Sequence, residues 1–137
     1  MSTAPKVVDC ASLVKWLYGE RGVWLPRNFL RWQEFGVSVR EPIGSDLVFT
    51  TGRRGSGVGH VGIASGPDTM IHAINRVGVQ EVRFDTLTKS RRIYMYRRLF
   101  PKDTKTVTLR VPVGEELETS DEIEWRVRDA LHPQSIP

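Results

Sequence analysis

The 137-residue sequence predicts an α+β fold in which helices come first and an antiparallel sheet follows. Two observations carry this prediction. Apolar residues near the N-terminus recur at helical spacing, and between residues 46 and 97 five short apolar segments alternate with turn residues. Hydrophobic residues make up 39% of the chain and charged residues 26%, which is typical of a globular domain with its own core.

The first predicted helix begins at the only cysteine in the chain. Asp9 is a favourable N-cap residue, and one face of the helix is apolar, formed by Cys10, Leu13, Val14 and Leu17. Cys10 then lies in the first turn, where free backbone N–H groups and the helix dipole favour a thiolate. A lone cysteine is more often a small buried hydrophobe, so this position alone decides nothing.

The remaining elements follow in chain order. A second helix is expected from Leu25-Pro26-Arg27, because Pro26 suits a first helical turn, and it should stop at Gly36. Residues 37–40 form a short extended piece. The five predicted strands of the antiparallel sheet span 46–50, 60–64, 69–73, 78–84 and 93–97. The glycine-rich segment 52–59 lacks the Gly-Lys-Ser/Thr ending of a phosphate-binding loop and predicts a hairpin connection.

Charge divides the chain into two parts. Residues 1–100 carry a net charge of +7, and residues 101–137 carry −3. We therefore predict a main domain over 1–100 and an acidic C-terminal extension over 101–137, with an edge strand at 107–113 and a helix after the capping box at 119–122. The extension is expected to contact this chain or a partner. The basic charge alone does not outweigh an ordinary charged surface, so nucleic-acid binding is not expected.

Membrane and targeting signals are not visible in the sequence. No apolar run reaches about eighteen residues, so no membrane span is expected. The first residues, Met1 to Lys6, have no apolar segment, so no signal peptide is visible. One cysteine excludes an internal disulfide and a multi-cysteine zinc site.

Two histidines complete a constellation around the cysteine. His60 and His72 are twelve residues apart across a turn at residues 66–68, and a hairpin of that length brings both imidazoles to one end of neighbouring strands. A single strand histidine is more often structural. Together with Cys10 at a helix N-terminus, however, they provide a nucleophile, a base and a third polar group.

Five motifs occur in an order that resembles the NlpC family of cell-wall cysteine peptidases. They are Asp9-Cys10-Ala11-Ser12-Leu13-Val14, Leu25-Pro26-Arg27, Ser45-Asp46-Leu47-Val48-Phe49, Gly59-His60-Val61-Gly62-Ile63 and Met70-Ile71-His72-Ala73. The resemblance covers about residues 7–98 and implies a papain-like fold. Within the motifs, Ala11 and Ser12 replace the usual Ser-Gly pair, Trp32 stands near a usual glutamine, and Ser45 replaces a usual glycine. Nine residues precede Cys10, where the family normally has a further helix and a Tyr-x-x-Gly-Gly-like segment.

The resemblance also implies residue roles. It makes Cys10 the nucleophile, His60 the general base and His72 the orienting residue. Asp9, Ser12 and Arg27 are predicted to bind the substrate. The implied substrate is a peptidoglycan stem peptide or a similar amide, cut between D-glutamate and a diamino acid, and the implied place of action is the cell wall. No cofactor and no metal are implied.

Four other functions stay open at this point. The same residues suit a thiol acyltransferase or an amidase on a small or lipid amide. A non-catalytic module that binds cell-wall peptides or a protein partner is the second alternative. A zinc site formed by Cys10, His60 and His72 ranks low because no carboxylate accompanies it. Nucleic-acid binding rests on charge alone and ranks lowest.

Overall fold

The computed structural model describes residues 9–52 and 57–100, together with Gly114 and Glu122. The predicted edge strand and helix of the 101–137 extension lie outside the described residues, as do residues 53–56 of the glycine-rich connection. The proposed boundary between main domain and extension therefore stays a prediction.

Helix α1 spans Cys10–Glu20 and begins where the sequence predicts. Asp9 is its N-cap and forms a reciprocal capping box with Ser12: the Ser12 N–H donates to Asp9 Oδ1 at 2.7 Å, and the Asp9 N–H donates to Ser12 Oγ at 3.0 Å. Two of the backbone N–H groups at the helix start are thereby satisfied. Cys10 is consequently fixed as the first helical residue.

The expected second helix is present, but it is a 3-10 helix and it begins later than predicted. Residues Phe29–Glu34 form a 3-10 helix whose N-cap is Asn28, and the Asn28 side chain accepts from the Leu30 N–H. The helix begins after Asn28 because the Asn28 backbone is extended and therefore lies outside the helix. The Pro26 carbonyl instead accepts a hydrogen bond from the Trp32 indole at 2.8 Å.

Gly36 ends this segment, as the sequence predicts, and the structure gives the reason. Its φ of +66° is unfavourable for other residues. A Cβ built there would lie 2.1 Å from the carbonyl oxygen of Arg98, so a side chain would collide with strand backbone.

Within residues 9–52 and 57–100, the sheet has six antiparallel strands rather than the predicted five. The strands are β1 (Val37–Val39), β2 (Leu47–Thr51), β3 (Val58–Ala64), β4 (Thr69–Ile74), β5 (Gly78–Arg83) and β6 (Ile93–Arg98), in the spatial order β1-β6-β2-β3-β4-β5. The extra strand is the short extended piece after Gly36, which pairs with β6 in the register Val37↔Arg98. The last strand does not continue the meander beside β5. It is inserted between β1 and β2.

A short helix separates β5 from β6. Helix α2 spans Phe84–Leu87, where the sequence predicted the end of a strand. The ladder stops because the Phe84 N–H donates to the Asp68 carbonyl in the neighbouring turn. Leu87 then packs on the sheet.

Each face of the sheet contributes to a hydrophobic cluster. One cluster joins α1 and the 3-10 helix to the sheet through Val14, Tyr18, Leu25, Trp32, Leu47, Phe49 and Val61. The other joins α2 to the opposite face through Val48, Ala64, Met70 and Leu87. The predicted helical face is confirmed in part: Leu13 and Val14 are buried, whereas Cys10 and Leu17 are half-buried.

A buried carboxylate connects the segment before β2 to the end of β6 through hydrogen bonds. Asp46 is 2% exposed and accepts from the Arg98 guanidinium at 2.9 and 3.0 Å and from the Ile43 N–H at 2.9 Å. The hydrogen bond with Asp46 raises the pKa of Arg98. Among the described residues, no helix is long and apolar enough to cross a membrane.

Candidate active site

The Cys10 sulfur lies at the start of α1, against β3. It is half-buried, and it is close enough to the Val61 backbone for a hydrogen bond that lowers its pKa. A hydrogen bond that lowers a thiol pKa is donated to the sulfur, so the donor is the Val61 N–H. Cys10 therefore meets β3 at the residue that follows His60.

Burial nevertheless dominates the electrostatics of Cys10. Loss of solvent raises the pKa of its thiol above the ordinary value, and the neighbouring Asp9 carboxylate raises it further. The N–H groups of Val61, Ala11 and Cys10 lower the pKa without reversing the shift. Desolvation therefore outweighs the helix end in this structure and favours the thiol, in contrast to the expected thiolate.

The two histidines are directly joined. His60 Nε2 and His72 Nδ1 lie 2.8 Å apart in a buried hydrogen bond, and the rings meet edge to face with centroids 5.0 Å apart. His60 lies on β3 and His72 on β4, as the hairpin argument predicts. Their shared end of the sheet is next to the β2 bulge at Thr50 and Thr51, and Thr50 lies directly opposite His60.

Gly62 makes room for this pair. A Cβ at this position would lie 2.6 Å from the Met70 methyl group, 2.9 Å from the Ile71 carbonyl and 3.2 Å from the His72 Cβ. Because Gly62 has no side chain, β4 approaches β3 closely enough for His72 to reach His60. The sequence motif included this glycine, but its steric role appears only in the packed sheet.

Arg91 is a site residue that the sequence reasoning missed. It is half-buried, and its Nη1 donates to the Thr51 carbonyl at 3.1 Å. Burial lowers the pKa of His60 to about 3, with Arg91 and then His72 as further causes. Burial and Arg91 also lower the pKa of His72. Both shifts favour the neutral imidazole at physiological pH.

The structure does not bring all the predicted site residues into contact. Among residues 9–52 and 57–100, no hydrogen bond joins the Cys10 sulfur to either imidazole. Asp9 and Ser12 form the helix cap beside Cys10, and Arg27 is exposed after the buried Pro26. In the same part of the chain, no group of three or more His, Cys, Asp or Glu side chains is arranged to hold a metal ion. The zinc alternative therefore lacks its geometry.

A cavity of about 580 Å³ lies away from these residues. It is at the other end of α1 and is lined by Leu17, Tyr18, Arg21, Ile63, Ile71 and Phe100, among others. Neither Cys10 nor either histidine contributes to its wall. We place the candidate active site at Cys10 and the histidine pair, because these groups carry reactive chemistry and the cavity does not.

Comparison with known proteins agrees with the motif order. The sequence profile of the NlpC/P60 family matches residues 2–98, which is more than half of the chain. The chain belongs to the NlpC/P60 family. Two curated relatives, probable endopeptidases from two strains of Corynebacterium glutamicum, are each 36% identical over 76 residues. That match covers 54% of this NlpC/P60 chain and 34% of either relative, so the chain spans about a third of their length.

Solved structures show the same fold. An NlpC/P60 family protein from Bacillus cereus matches with a TM-score of 0.59 and 27% identity, over 68% of this chain and 32% of that chain. A lipoprotein-like NLP/P60 family protein from Staphylococcus aureus matches with a TM-score of 0.55 and 23% identity, over 74% of this chain and 36% of the Staphylococcus aureus chain. The α+β fold with an antiparallel sheet is thus an NlpC/P60 fold. The papain-like arrangement stays a prediction.

The raised pKa of Cys10 leads to a defined pH profile of alkylation in this NlpC/P60 chain. We expect the rate at which iodoacetamide alkylates Cys10 to rise with pH, with a midpoint above the ordinary thiol pKa of about 8.5. Asp9→Asn should move the midpoint to lower pH, because it removes the negative charge while keeping an oxygen that caps the helix. A rate that is already maximal at pH 6 and lost in His60→Ala would instead show a preformed thiolate–imidazolium pair.

Proposed function

We propose that this chain carries the catalytic site of a cysteine peptidase or amidase that hydrolyses amide bonds in peptidoglycan stem peptides. Cys10 is the nucleophile, His60 the general base and His72 the residue that orients His60. The observation that carries the proposal is the buried hydrogen bond of 2.8 Å between the imidazoles of His60 and His72. The Cys10 sulfur lies against Val61, the residue that follows His60. Family membership and the probable endopeptidases among the relatives support a cell-wall peptidase in general.

The bond between the histidines decides which nitrogen serves as the base. Nε2 of His60 is engaged with His72, so Nδ1 is the nitrogen that can accept the Cys10 proton. Because Cys10 is a thiol and His60 is neutral at rest, proton transfer accompanies attack on the carbonyl rather than preceding it. His60 then protonates the leaving amine, and it next activates a water that hydrolyses the thioester.

The developing oxyanion needs hydrogen-bond donors at the start of α1. The backbone N–H of Cys10 is one such donor, and it supports this role that the N–H lies close enough to the Cys10 sulfur for a hydrogen bond. One donor of this kind typically contributes about 3 kcal/mol to barrier lowering. The negative oxyanion also offsets the cost of an imidazolium next to Arg91.

Three residues are proposed on the substrate side. Asp9 is exposed one residue before Cys10, and its carboxylate suits a substrate amine. Ser12 is half-buried and shares the helix cap with Asp9, so it holds that carboxylate in place. Arg27 is exposed and its guanidinium suits a substrate carboxylate. A stem peptide with D-glutamate and a diamino acid presents both kinds of charge.

The defining experiment uses a synthetic stem tripeptide of L-alanine, γ-linked D-glutamate and a diamino acid. We expect the full chain to release the diamino acid, detected by mass spectrometry. The same reaction with an added amine acceptor separates hydrolase from acyltransferase, because a transferase would form a new amide. Failure to cleave this peptide and longer peptidoglycan fragments, with Cys10 unmodified, would contradict the proposal.

A non-catalytic peptide-binding module is the second candidate. It is favoured by one observation: within the described residues, Cys10 makes no hydrogen bond with either histidine, and its pKa is raised. This candidate predicts that the stem tripeptide binds, by calorimetry, without being cleaved.

A further inference from the structure

His72 has one ring nitrogen whose partner the structure does not show. Nδ1 is bonded to His60, whereas Nε2 is buried and has no hydrogen-bond partner among residues 9–52 and 57–100. The side chain is only 2% exposed, so bulk water does not satisfy this atom. A buried polar atom without a partner is costly, and it points to a partner that engages in the working state.

Whether His72 Nε2 carries a proton decides whether His60 can act as a base. If His60 Nε2–H donates to His72 Nδ1, the His72 proton is on Nε2, and His60 Nδ1 is ready to accept a proton. If His72 Nδ1–H donates instead, His60 carries its proton on Nδ1 and cannot take one from Cys10. An acceptor at His72 Nε2 favours the first tautomer, and a donor favours the second.

Gln80 is positioned to supply that acceptor. It lies on β5 directly opposite His72 on β4, so the two side chains leave the sheet on the same face. Side chains of directly opposite residues start about 4.5–5.5 Å apart at Cβ, a span that a glutamine can bridge. Gln80 is exposed, so packing does not hold its side chain in one rotamer.

The other polar groups near His72 are less suitable. Arg91 has only donors and therefore cannot accept from Nε2–H. Glu81 is opposite Ile71 and projects from the other face of the sheet. Thr50 lies on β2 opposite His60, rather than opposite His72.

We propose that Gln80 is a positioning residue whose side-chain carbonyl accepts a hydrogen bond from Nε2–H of His72. The bond selects the tautomer of the histidine pair in which His60 Nδ1 can accept the Cys10 proton. The outward amide nitrogen of Gln80 stays in solvent. This inference rests on the proposed function, since it concerns the same base.

The test compares three variants of Gln80 in the full chain. Gln80→Leu removes the acceptor, Gln80→Lys offers only donors, and Gln80→Glu offers only acceptors. We expect kcat on the stem tripeptide to fall roughly 10- to 100-fold in Gln80→Leu and Gln80→Lys, with little change in KM. In Gln80→Leu the buried Nε2–H of His72 has no acceptor, and in Gln80→Lys it faces a donor, so the active tautomer is no longer selected. Gln80→Glu should keep wild-type kcat. Glu81→Gln, a neighbour on the opposite face, is the matched control and should leave kcat unchanged.

Nitrogen-15 NMR of the imidazoles tests the inference without activity. We expect wild type and Gln80→Glu to carry the protons of both His60 and His72 on Nε2, and Gln80→Lys to move them to Nδ1. Equal imidazole spectra in wild type, Gln80→Leu and Gln80→Lys would overturn the role of Gln80. If the tautomers respond as expected while no amide is cleaved, the proposed function fails and the inference about Gln80 holds.

Discussion

Cys10→Ala is expected to reduce hydrolysis of the stem tripeptide by roughly 10³-fold or more, which is the scale on which removal of a nucleophile acts. Alanine cannot form the thioester, and the chain has no second cysteine to replace it. The measurement is the initial rate of diamino acid release at saturating peptide. Retention of more than a tenth of the wild-type rate would show that Cys10 is not the nucleophile.

Two controls separate a catalytic loss from a folding defect. Cys10 is only half-buried at the start of α1, so Cys10→Ala should unfold at nearly the wild-type urea concentration. His60→Ala should lose activity on a similar scale, while its Cys10 thiol should still react with iodoacetamide at high pH. An inactive Cys10→Ala with a much lower unfolding midpoint would leave stability, rather than chemistry, as the cause of the loss.

Trp32→Ala is expected to lower the free energy of unfolding by about 3–5 kcal/mol, the range for removing a large buried aromatic side chain. Trp32 is fully buried in the cluster that joins α1 and the 3-10 helix to the sheet. Its loss creates a cavity beside Phe29, which meets it edge to face, and it removes the indole hydrogen bond to the Pro26 carbonyl. Urea unfolding followed by far-UV circular dichroism measures the change.

A second tryptophan in the same part of the chain gives a matched control. Trp24 is 38% exposed, and the Lys15 ammonium lies 5.2 Å from its ring centroid. Trp24→Ala should therefore cost about 1 kcal/mol or less, since it opens no cavity. Trp32→Phe fills part of the volume without the indole donor and should fall between the two. Equal losses from Trp24→Ala and Trp32→Ala would contradict the burial argument.

The elements that the sequence predicts well are those with local signals. Asp9 and Ser12 are three residues apart, which is enough to form a cap, so the start of α1 is predictable to the residue. The turn at residues 66–68 likewise predicts the β3–β4 hairpin, which then brings His60 and His72 together. Local spacing was sufficient in both cases, because the partners are close in the chain.

Elements that depend on distant partners were predicted less well. The strand Val37–Val39 has only three residues and exists because β6, some sixty residues later, pairs with it. The 3-10 helix depends on the Trp32 indole reaching the Pro26 carbonyl inside the core. The short helix at Phe84–Leu87 starts with a hydrogen bond to the turn at Asp68. Propensity alone does not reveal such contacts.

The family, the helix that presents Cys10 and the hairpin that carries the two histidines are predictable from the sequence alone, because each depends on residue types at short, fixed spacings. The pKa shifts of the site residues, in contrast, depend on the tertiary structure. Burial raises the pKa of Cys10 and, with Arg91, lowers that of His60, and burial depends on packing of residues from the whole chain. The tertiary structure also decided that His72 Nε2 is enclosed opposite Gln80, because strand register becomes known only when β4 and β5 pair.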